Sequence, residues 1–332
     1  MLILGIESSC DETAAALVEN GTQIHSSVIA TQIDTHARYG GVVPELASRM
    51  HIEAIEPVVD QAVNQAGITL DQIDGVAATQ GPGLIGALLV GFSFAKAFAW
   101  ARNLPLAGVN HLEAHIYSLL LLEKSPKFPF IALVVSGGHT NIYHVSSPHT
   151  FELMGQTRDD AAGEAFDKVS KMMNLGYPGG PVIESLAKEN HKELIKFPRS
   201  MLGKNSFDFS FSGLKSAVAR YLHDHPQIKD SNKKLVAASF QAAVIDVLSQ
   251  KLMNAALAKN CKRIGISGGV SANQTFAKTL AHSAKKRGIQ VYSPPPALCG
   301  DNAAMIAARG FTMLQNKKVS SLEQDVFSRV KI

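Results

Sequence analysis

The chain has 332 residues and a mass of 35.5 kDa, with 46% hydrophobic, 18% charged and 7% aromatic residues. This composition excludes an intrinsically disordered protein and supplies enough length for about two domains. A formal charge of +4 and a pI near 8.8 permit an anionic ligand, yet fall short of the basic excess of a dedicated nucleic-acid-binding module.

From the N-terminus, Leu2 to Glu7 reads as a short apolar strand, SSCDET as a turn, and Ala14 to Val18 as the returning strand of a hairpin. The segment has no basic start and reaches Glu7 and Asp11 early, so an export signal is not expected. A helical pattern covers Pro44 to Ala66, then come a strand at Gly75 to Ala78, the glycine turn QGPG, and an apolar run from Leu84 to Trp100. That run is shorter than the roughly 20 residues needed to cross a bilayer and reads as a buried helix.

The hairpin pattern recurs at Phe130 to Val135, SGGHT and Asn141 to Val145, which points to a duplicated fold with a domain boundary near Lys127. AAGEAFDKVSKMMNL reads as a helix, and the basic and aromatic stretch from Lys188 to Lys215 as irregular. Pro226 to Lys234 is the best surface loop, and Lys234 to Lys259 a long amphipathic helix. Strand CKRIGIS, turn GGVSAN, a helix, strand IQVYSPPP and a helix from Asn302 complete an alternating α/β pattern.

His111 and His115 lie four residues apart in NHLEAHIYS, so on a helix both imidazoles project from one face as a pair of metal ligands. Such pairs also occur as ordinary surface or core histidines. Glu113 follows His111 by two positions, about 200° around the helix, and cannot be the general base of an HExxH peptidase. The best third ligand is Asp301 in CGDNAAM, a carboxylate at a helix start that would otherwise serve as an N-cap. Two histidines and an aspartate suit Fe(II) or Zn(II) and leave positions open for substrate oxygens.

Three glycine turns, at Gln80, Val135 and Ile266, could present backbone amides to phosphate oxygens, and none is a P-loop or a GxGxxG fingerprint. Acidic candidates are Glu7, Asp11 and Glu12 in the first hairpin turn, and Asp159, Asp160, Glu164 and Asp167 in RDDAAGEAFDK, where Glu164 and Asp167 could face one cleft. Basic clusters at Lys188 to Lys204, Lys259 to Arg263 and Lys285 to Arg287 could meet phosphates or form solvated faces. Cys10, Cys261 and Cys299 are far apart with no CxxC pair; neither a disulfide framework nor a thiolate zinc site is expected, and a reducing cytoplasm fits.

The strings GIESSCDETAAAL, HARYGGVVPELASRMH, QGPGLIGALLVG, NHLEAH, VSGGHT, DDAAGEAFDKVSK, YPGGP, FSFSGLK, GGVSAN and CGDNAAM follow one another from residue 5 to residue 307. Together they resemble the bacterial TsaD (YgjD or Gcp) family of tRNA N6-adenosine threonylcarbamoyltransferases. The resemblance implies an actin-like fold of the sugar kinase and Hsp70 type (ASKHA), with two duplicated α/β domains, 1–127 and 128–332, about a nucleotide cleft, the last helix packing back on the first domain. It implies transfer of threonylcarbamoyl from its adenylate to N6 of the adenosine 3′ of the anticodon in tRNAs reading ANN codons, with AMP leaving.

Carried over residue by residue, the metal ligands fall on His111, His115 and Asp301, with iron expected and zinc as the alternative. The adenylate positions fall on Val134, Val135, Ser136, Gly137, Gly138, Asp167, Gly180, Glu184 and Asn273. Asn110 stands where bacterial members often have a further histidine, and Ala114 where glycine is common. Asp11 or Glu12 is the candidate proton acceptor. Implied partners are tRNA, a TsaB-like paralogue, a TsaE-like ATPase and a separate adylate-forming enzyme, with a homodimer in isolation and no membrane. The competing readings are an ATP-dependent kinase and a nucleotide-binding scaffold on the same fold.

Overall fold

The structure is a computed structural model that describes residues 1–190, 194–200, 206–226 and 230–329. It forms two compact units, Met1–Ser125 with Pro296–Ile332, and Pro126–Pro295.

In the first unit β1 (Leu2–Glu7), β2 (Glu12–Glu19) and β3 (Gln23–Thr31) form an antiparallel meander, followed by α1 (Ile33–Ala37) and α2 (Pro44–Ala66). Then β4 (Gly75–Gly81), α3 (Ile85–Ala101), β5 (Leu106–Asn110) and α4 (His111–Tyr117) follow. β4 pairs in parallel with β1, and β5 with β4, giving the order β3-β2-β1-β4-β5. The two-residue period of β1 splits its side chains between the sheet's faces: Leu4 and Ile6 join Val59 of α2 and Phe92 of α3 in one apolar cluster, and Ile3 enters the other.

The second unit repeats this plan. Its strands are β6 (Phe130–Val135), β7 (Thr140–Ser147), β8 (Thr150–Gln156), β9 (Arg263–Ser267) and β10 (Gln290–Tyr292), in the order β8-β7-β6-β9-β10. Its helices are α5 (Ala162–Met172), α6 (Gly179–Lys188), α7 (Ser212–Asp224), α8 (Asp230–Ala258) and α9 (Gln274–Lys285). Antiparallel and parallel pairings fall at the same places as in the first sheet. Two identical strand orders establish the expected duplication.

The closing helix α10 (Ala303–Gln315) belongs to the first unit, where Ala303, Ile306 and Ala307 cover the sheet face that receives Ile3. Its approach is close: a Cβ on Gly5 would stand 2.3 Å from the Ala303 carbonyl oxygen, so the strand needs glycine there.

Several expectations change. The apolar helix α3 is not wholly buried, since Ile85, Leu89 and Trp100 are exposed. The expected amphipathic helix α8 instead buries Val236 through Gln241 without a break, because α6, α7 and α9 and the sheet pack around it. Among the described residues only α8 is long and apolar enough to cross a membrane, and 72% of its apolar window is buried within the protein. The loop expected at Pro226 to Lys234 ends by Asp230, where α8 begins; residues 227–229 lie outside the described residues. The stretch read as irregular contains the start of α7 at Ser212, and its residues 191–193 and 201–205 are likewise outside the described ones.

Candidate metal centre and active site

Asn110 starts α4 as its N-cap, its side-chain oxygen accepting from the amides of Leu112 (2.9 Å) and Glu113 (3.2 Å). Asparagine at this position therefore has a capping task that fixes where the helix turns begin. His111 and His115 then share one face, buried, with ring centroids 4.6 Å apart. At the start of α10 the capping task falls to Asn302, which accepts from the Met305 amide at 3.0 Å, and the Asp301 carboxylate is directed at the imidazoles. Asp301 Oδ1 lies 3.2 Å from His115 Nε2 and 3.6 Å from His111 Nε2.

The far side of His111 is held by Glu7, whose Oε2 accepts from His111 Nδ1 at 3.0 Å and from Thr79 Oγ1 at 2.7 Å. A carboxylate on Nδ1 fixes the tautomer that leaves Nε2 available to a metal. Burial pushes the Glu7 carboxyl up, but the His111 charge and hydrogen bond outweigh it and the net shift is downward, so Glu7 is ionised. Burial pushes His111 down, yet the charges of Glu7 and Asp301 carry it up to about 9, whereas burial leaves His115 below its usual value. His115 is fully buried, and neither ring nitrogen has an aligned hydrogen-bond partner among the described residues. An orphaned imidazole is costly unless something binds it. One ligand atom from each of His111, His115 and Asp301 lies within 4.8 Å of the others, so the set fits a divalent ion.

Glu113 stays out of this centre, as its spacing requires. Its Oε2 accepts from Arg309 Nε at 2.8 Å and pairs with Nη2 at 2.7 Å, clamping α4 to α10. Asp11 ends the β1–β2 turn and Glu12 begins β2, Asp11 buried and Glu12 half-buried. Burial first, then the charges of Asp301 and Asp11, pushes the Glu12 carboxyl up to about 10. The turn is held by a residue that sequence reasoning does not single out: His51 of α2 donates from Nε2 to the Cys10 carbonyl (2.9 Å), and Thr13 Oγ1 donates to its Nδ1 (2.7 Å). His51 closes the string HARYGGVVPELASRMH, but nothing local reveals a contact 41 residues away. The link from Glu7 to His111, across 104 residues, is equally invisible.

The remaining expected site residues lie in the second unit. Val134 and Val135 are buried in β6, and Ser136 begins the turn. Gly137 and Gly138 are exposed, with nothing within 4 Å of where a Cβ would stand, so a ligand can approach the backbone. Asp167 accepts from the Gly179 amide at 2.7 Å and so ties α5 to the start of α6, beside Gly180, which is open in the same way. Glu184 accepts from the Gln274 amide at 3.0 Å, and Asn273 caps α9 by accepting from Phe276 N at 2.9 Å while donating to Gln241 at 2.7 Å.

Three further acidic candidates hold neighbouring elements together. Asp159 accepts from the Phe211 and Ser212 amides at the start of α7, Asp160 pairs with Lys168 and Lys215, and Glu164 pairs with Lys168. Glu164 and Asp167 thus both make contacts at helix α5.

A sequence model described as TsaD: tRNA N6-adenosine threonylcarbamoyltransferase matches residues 23–308. The chain belongs to the TsaD family. It is 63% identical to the tRNA N6-adenosine threonylcarbamoyltransferase of Desulforapulum autotrophicum over 331 residues, covering 100% of this chain and 99% of that one. The counterpart in Clostridium beijerinckii is 50% identical, with 100% and 98% covered. Among solved structures, T. kodakarensis HypF aligns with a TM-score of 0.64 at 13% identity, covering 95% of this chain and 48% of that chain. Component A of the Acidaminococcus fermentans (R)-2-hydroxyglutaryl-CoA dehydratase aligns with a TM-score of 0.58, again at 13% identity, covering 95% and 99%. These two likenesses establish the duplicated actin-like α/β fold of this TsaD family member and carry no function.

Proposed function

We propose that this protein transfers the threonylcarbamoyl group from threonylcarbamoyl-adenylate to N6 of the adenosine 3′ of the anticodon in tRNAs reading ANN codons. The observation that carries this reading is family membership across the chain, joined to a built His111, His115 and Asp301 centre. In the reaction the adenine N6 forms a bond to the carbamoyl carbon, the bond from that carbon to the phosphate oxygen breaks, and AMP leaves. One N6 proton must be removed. An exocyclic adenine amine is a poor nucleophile because its lone pair is delocalised into the ring, so orientation and proton removal both matter.

His111, His115 and Asp301 would hold the metal, iron(II) in this reading, and the Glu7 bond to Nδ1 would leave His111 Nε2 free for it. Such an ion supplies Lewis-acid polarisation of donor oxygens. Asp11 and Glu12, beside one another at the start of β2, are the two candidates for taking the N6 proton. The open amides at Gly137 and Gly138 receive the phosphate, while Asp167, Gly180, Glu184 and Asn273 shape the adenylate site. A kinase reading is disfavoured by the donor set, since the Mg²⁺ of kinases takes oxygen ligands.

The same reading places the protein in the cytoplasm with a TsaB-like paralogue, a TsaE-like ATPase and an enzyme that makes the adenylate. The exposed Ile85, Leu89 and Trp100 of α3 and Ile52 of α2 supply the apolar surface for the paralogue. Leu89→Glu is expected to abolish that pairing in size-exclusion chromatography, and an unchanged complex removes this surface from the proposal. The reaction itself is tested by nucleoside mass spectrometry of an ANN-decoding tRNA incubated with the protein, its partners, ATP, threonine and bicarbonate. Threonylcarbamoyladenosine is the expected product, and its absence from a verified mixture rejects the reading.

A further inference from the structure

The two units carry opposite charge. Residues 126–295 hold 22 Lys and Arg against 12 Asp and Glu, a net of +10, while the rest of the chain holds 10 against 16, a net of −6. An overall charge of +4 conceals this asymmetry, and a basic domain within a nearly neutral chain is the electrostatic footprint of a polyanion partner.

Of the three basic clusters in the sequence, two have other tasks in part. Lys259 pairs with Glu152 at 2.7 Å and Arg263 donates to the Pro129 carbonyl, while Lys188 pairs with Glu184; Lys192 and Lys204 lie outside the described residues. The third cluster opens on a groove. Lys286 and Arg287, exposed at the end of α9 and without a carboxylate partner among the described residues, line a cavity of about 540 Å³ between α8 and α9.

The walls are donors. On α8 the lining carries the amides of Gln250 and Asn254, and on α9 the hydroxyls of Thr279 and Ser283, leaving Met253 as its single apolar side chain. The one carboxylate of the lining, Asp246, is engaged by Arg199 through Nε (3.0 Å) and Nη2 (2.9 Å).

We infer that this α8–α9 groove docks the phosphodiester backbone of RNA, with Lys286 and Arg287 as its charge contacts and the hydroxyl-bearing walls as its neutral ones. Serine, threonine and asparagine beside lysine and arginine form the usual phosphate-contacting set, which sets register without reading bases. A protein partner would call for an apolar centre, which the groove lacks. The inference rests on the proposed tRNA reaction, deepening it with a docking surface.

The test uses the full chain, metal-loaded and with its partner subunits, and an unmodified transcript of an ANN-decoding tRNA titrated at several salt concentrations. The variant Lys286→Ala/Arg287→Ala is expected to weaken binding roughly ten- to thirtyfold near physiological salt and to reduce the slope of log affinity against log salt by about 1.5–2. Its KM for tRNA rises while kcat at saturating tRNA stays at the wild-type value. Asp246→Asn, which releases Arg199 from its carboxylate, is expected to tighten binding and steepen the slope by about 1. Wild-type affinity and slope in both variants overturn the docking site. So does a double variant that binds tRNA normally but loses a protein subunit. The underlying reaction fails separately, through wild-type protein that forms no threonylcarbamoyladenosine.

Discussion

Each unit places a turn between the first two strands of its sheet, and the two turns have opposite chemistry. After β1 the turn carries Ser8, Ser9, Cys10 and Asp11, with Glu7 before it and Glu12 behind it; after β6 the equivalent turn carries Ser136, Gly137, Gly138 and His139. The first concentrates buried carboxylates beside two imidazoles, a setting for a cation. The second strips side chains away and exposes amides, a setting for an anion. One duplicated backbone plan thus supplies two complementary sites, and the difference lies in which side chains fill the same topological position.

The largest expected effect comes from breaking the cation side. His115→Ala removes a buried ligand whose ring has no aligned alternative partner, so bound metal measured by elemental analysis should fall from one equivalent to none. Product formation should drop by about a thousandfold or more, corresponding to several kcal/mol of lost charge stabilisation. A variant that keeps its metal and its turnover would move the centre elsewhere. Glu7→Gln sharpens the same point. It retains the shape and the Thr79 contact but loses the charge that orients His111, and metal affinity by chelator competition should weaken about 10–100-fold.

On the anion side the effect is smaller and confined to the donor. Gly138→Val adds a side chain into space that is empty in the structure, so the fold should hold while the added methyls cover the amides. Donor binding should weaken at least about tenfold, roughly the worth of one charged hydrogen bond, with metal content unchanged. Loss of metal in this variant would mean that the two chemistries are not separable in the way their turns suggest.

The sequence makes the elements next to these sites legible because their signals are local. The spacing of His111 and His115, the runs of β1 and β6 and the bounds of α2 at Pro44–Ala66 all agree between pattern and structure. Edge strands escape: β3 exposes Ile24 and Ile29 and buries Ser26, and β8 exposes Leu153, so residue polarity does not alternate with burial and the strand pattern is lost. Helix α8 misleads for the opposite reason, since polar residues such as Ser239 and Gln241 look like a solvent face but are buried by neighbouring helices. Long-range partnerships escape altogether. Asp159 and Asp160 look like site carboxylates in RDDAAGEAFDK because the sequence cannot reveal that Phe211, Ser212 and Lys215 wait 52 to 55 residues later.

Those partnerships give the smallest predicted effect, and one specific to the second unit. For each of Asp159, Asp160 and Asp208, burial pushes the carboxyl up but is outweighed: by hydrogen bonds from Ser210 and the α7 amides, by Lys168 and Lys215, and by the Gln156 amide with Arg158. The net shift is downward from 3.8 in all three. A carboxyl with a lowered folded value stabilises the fold fully above its unfolded value, and that contribution is lost as pH falls through the folded one. Thermal stability should therefore be level at neutral pH, begin to fall near pH 4 and continue to fall below it. Asp160→Ala should cost about 1–2 kcal/mol at neutral pH, toward the lower end for charged hydrogen bonds because Lys168 is partly exposed. The cost should shrink as pH falls below 4, because protonation removes the same interaction from the wild type. A mutant penalty that stays constant through that range would show that packing, not the carboxylate charge, holds this loop to α7.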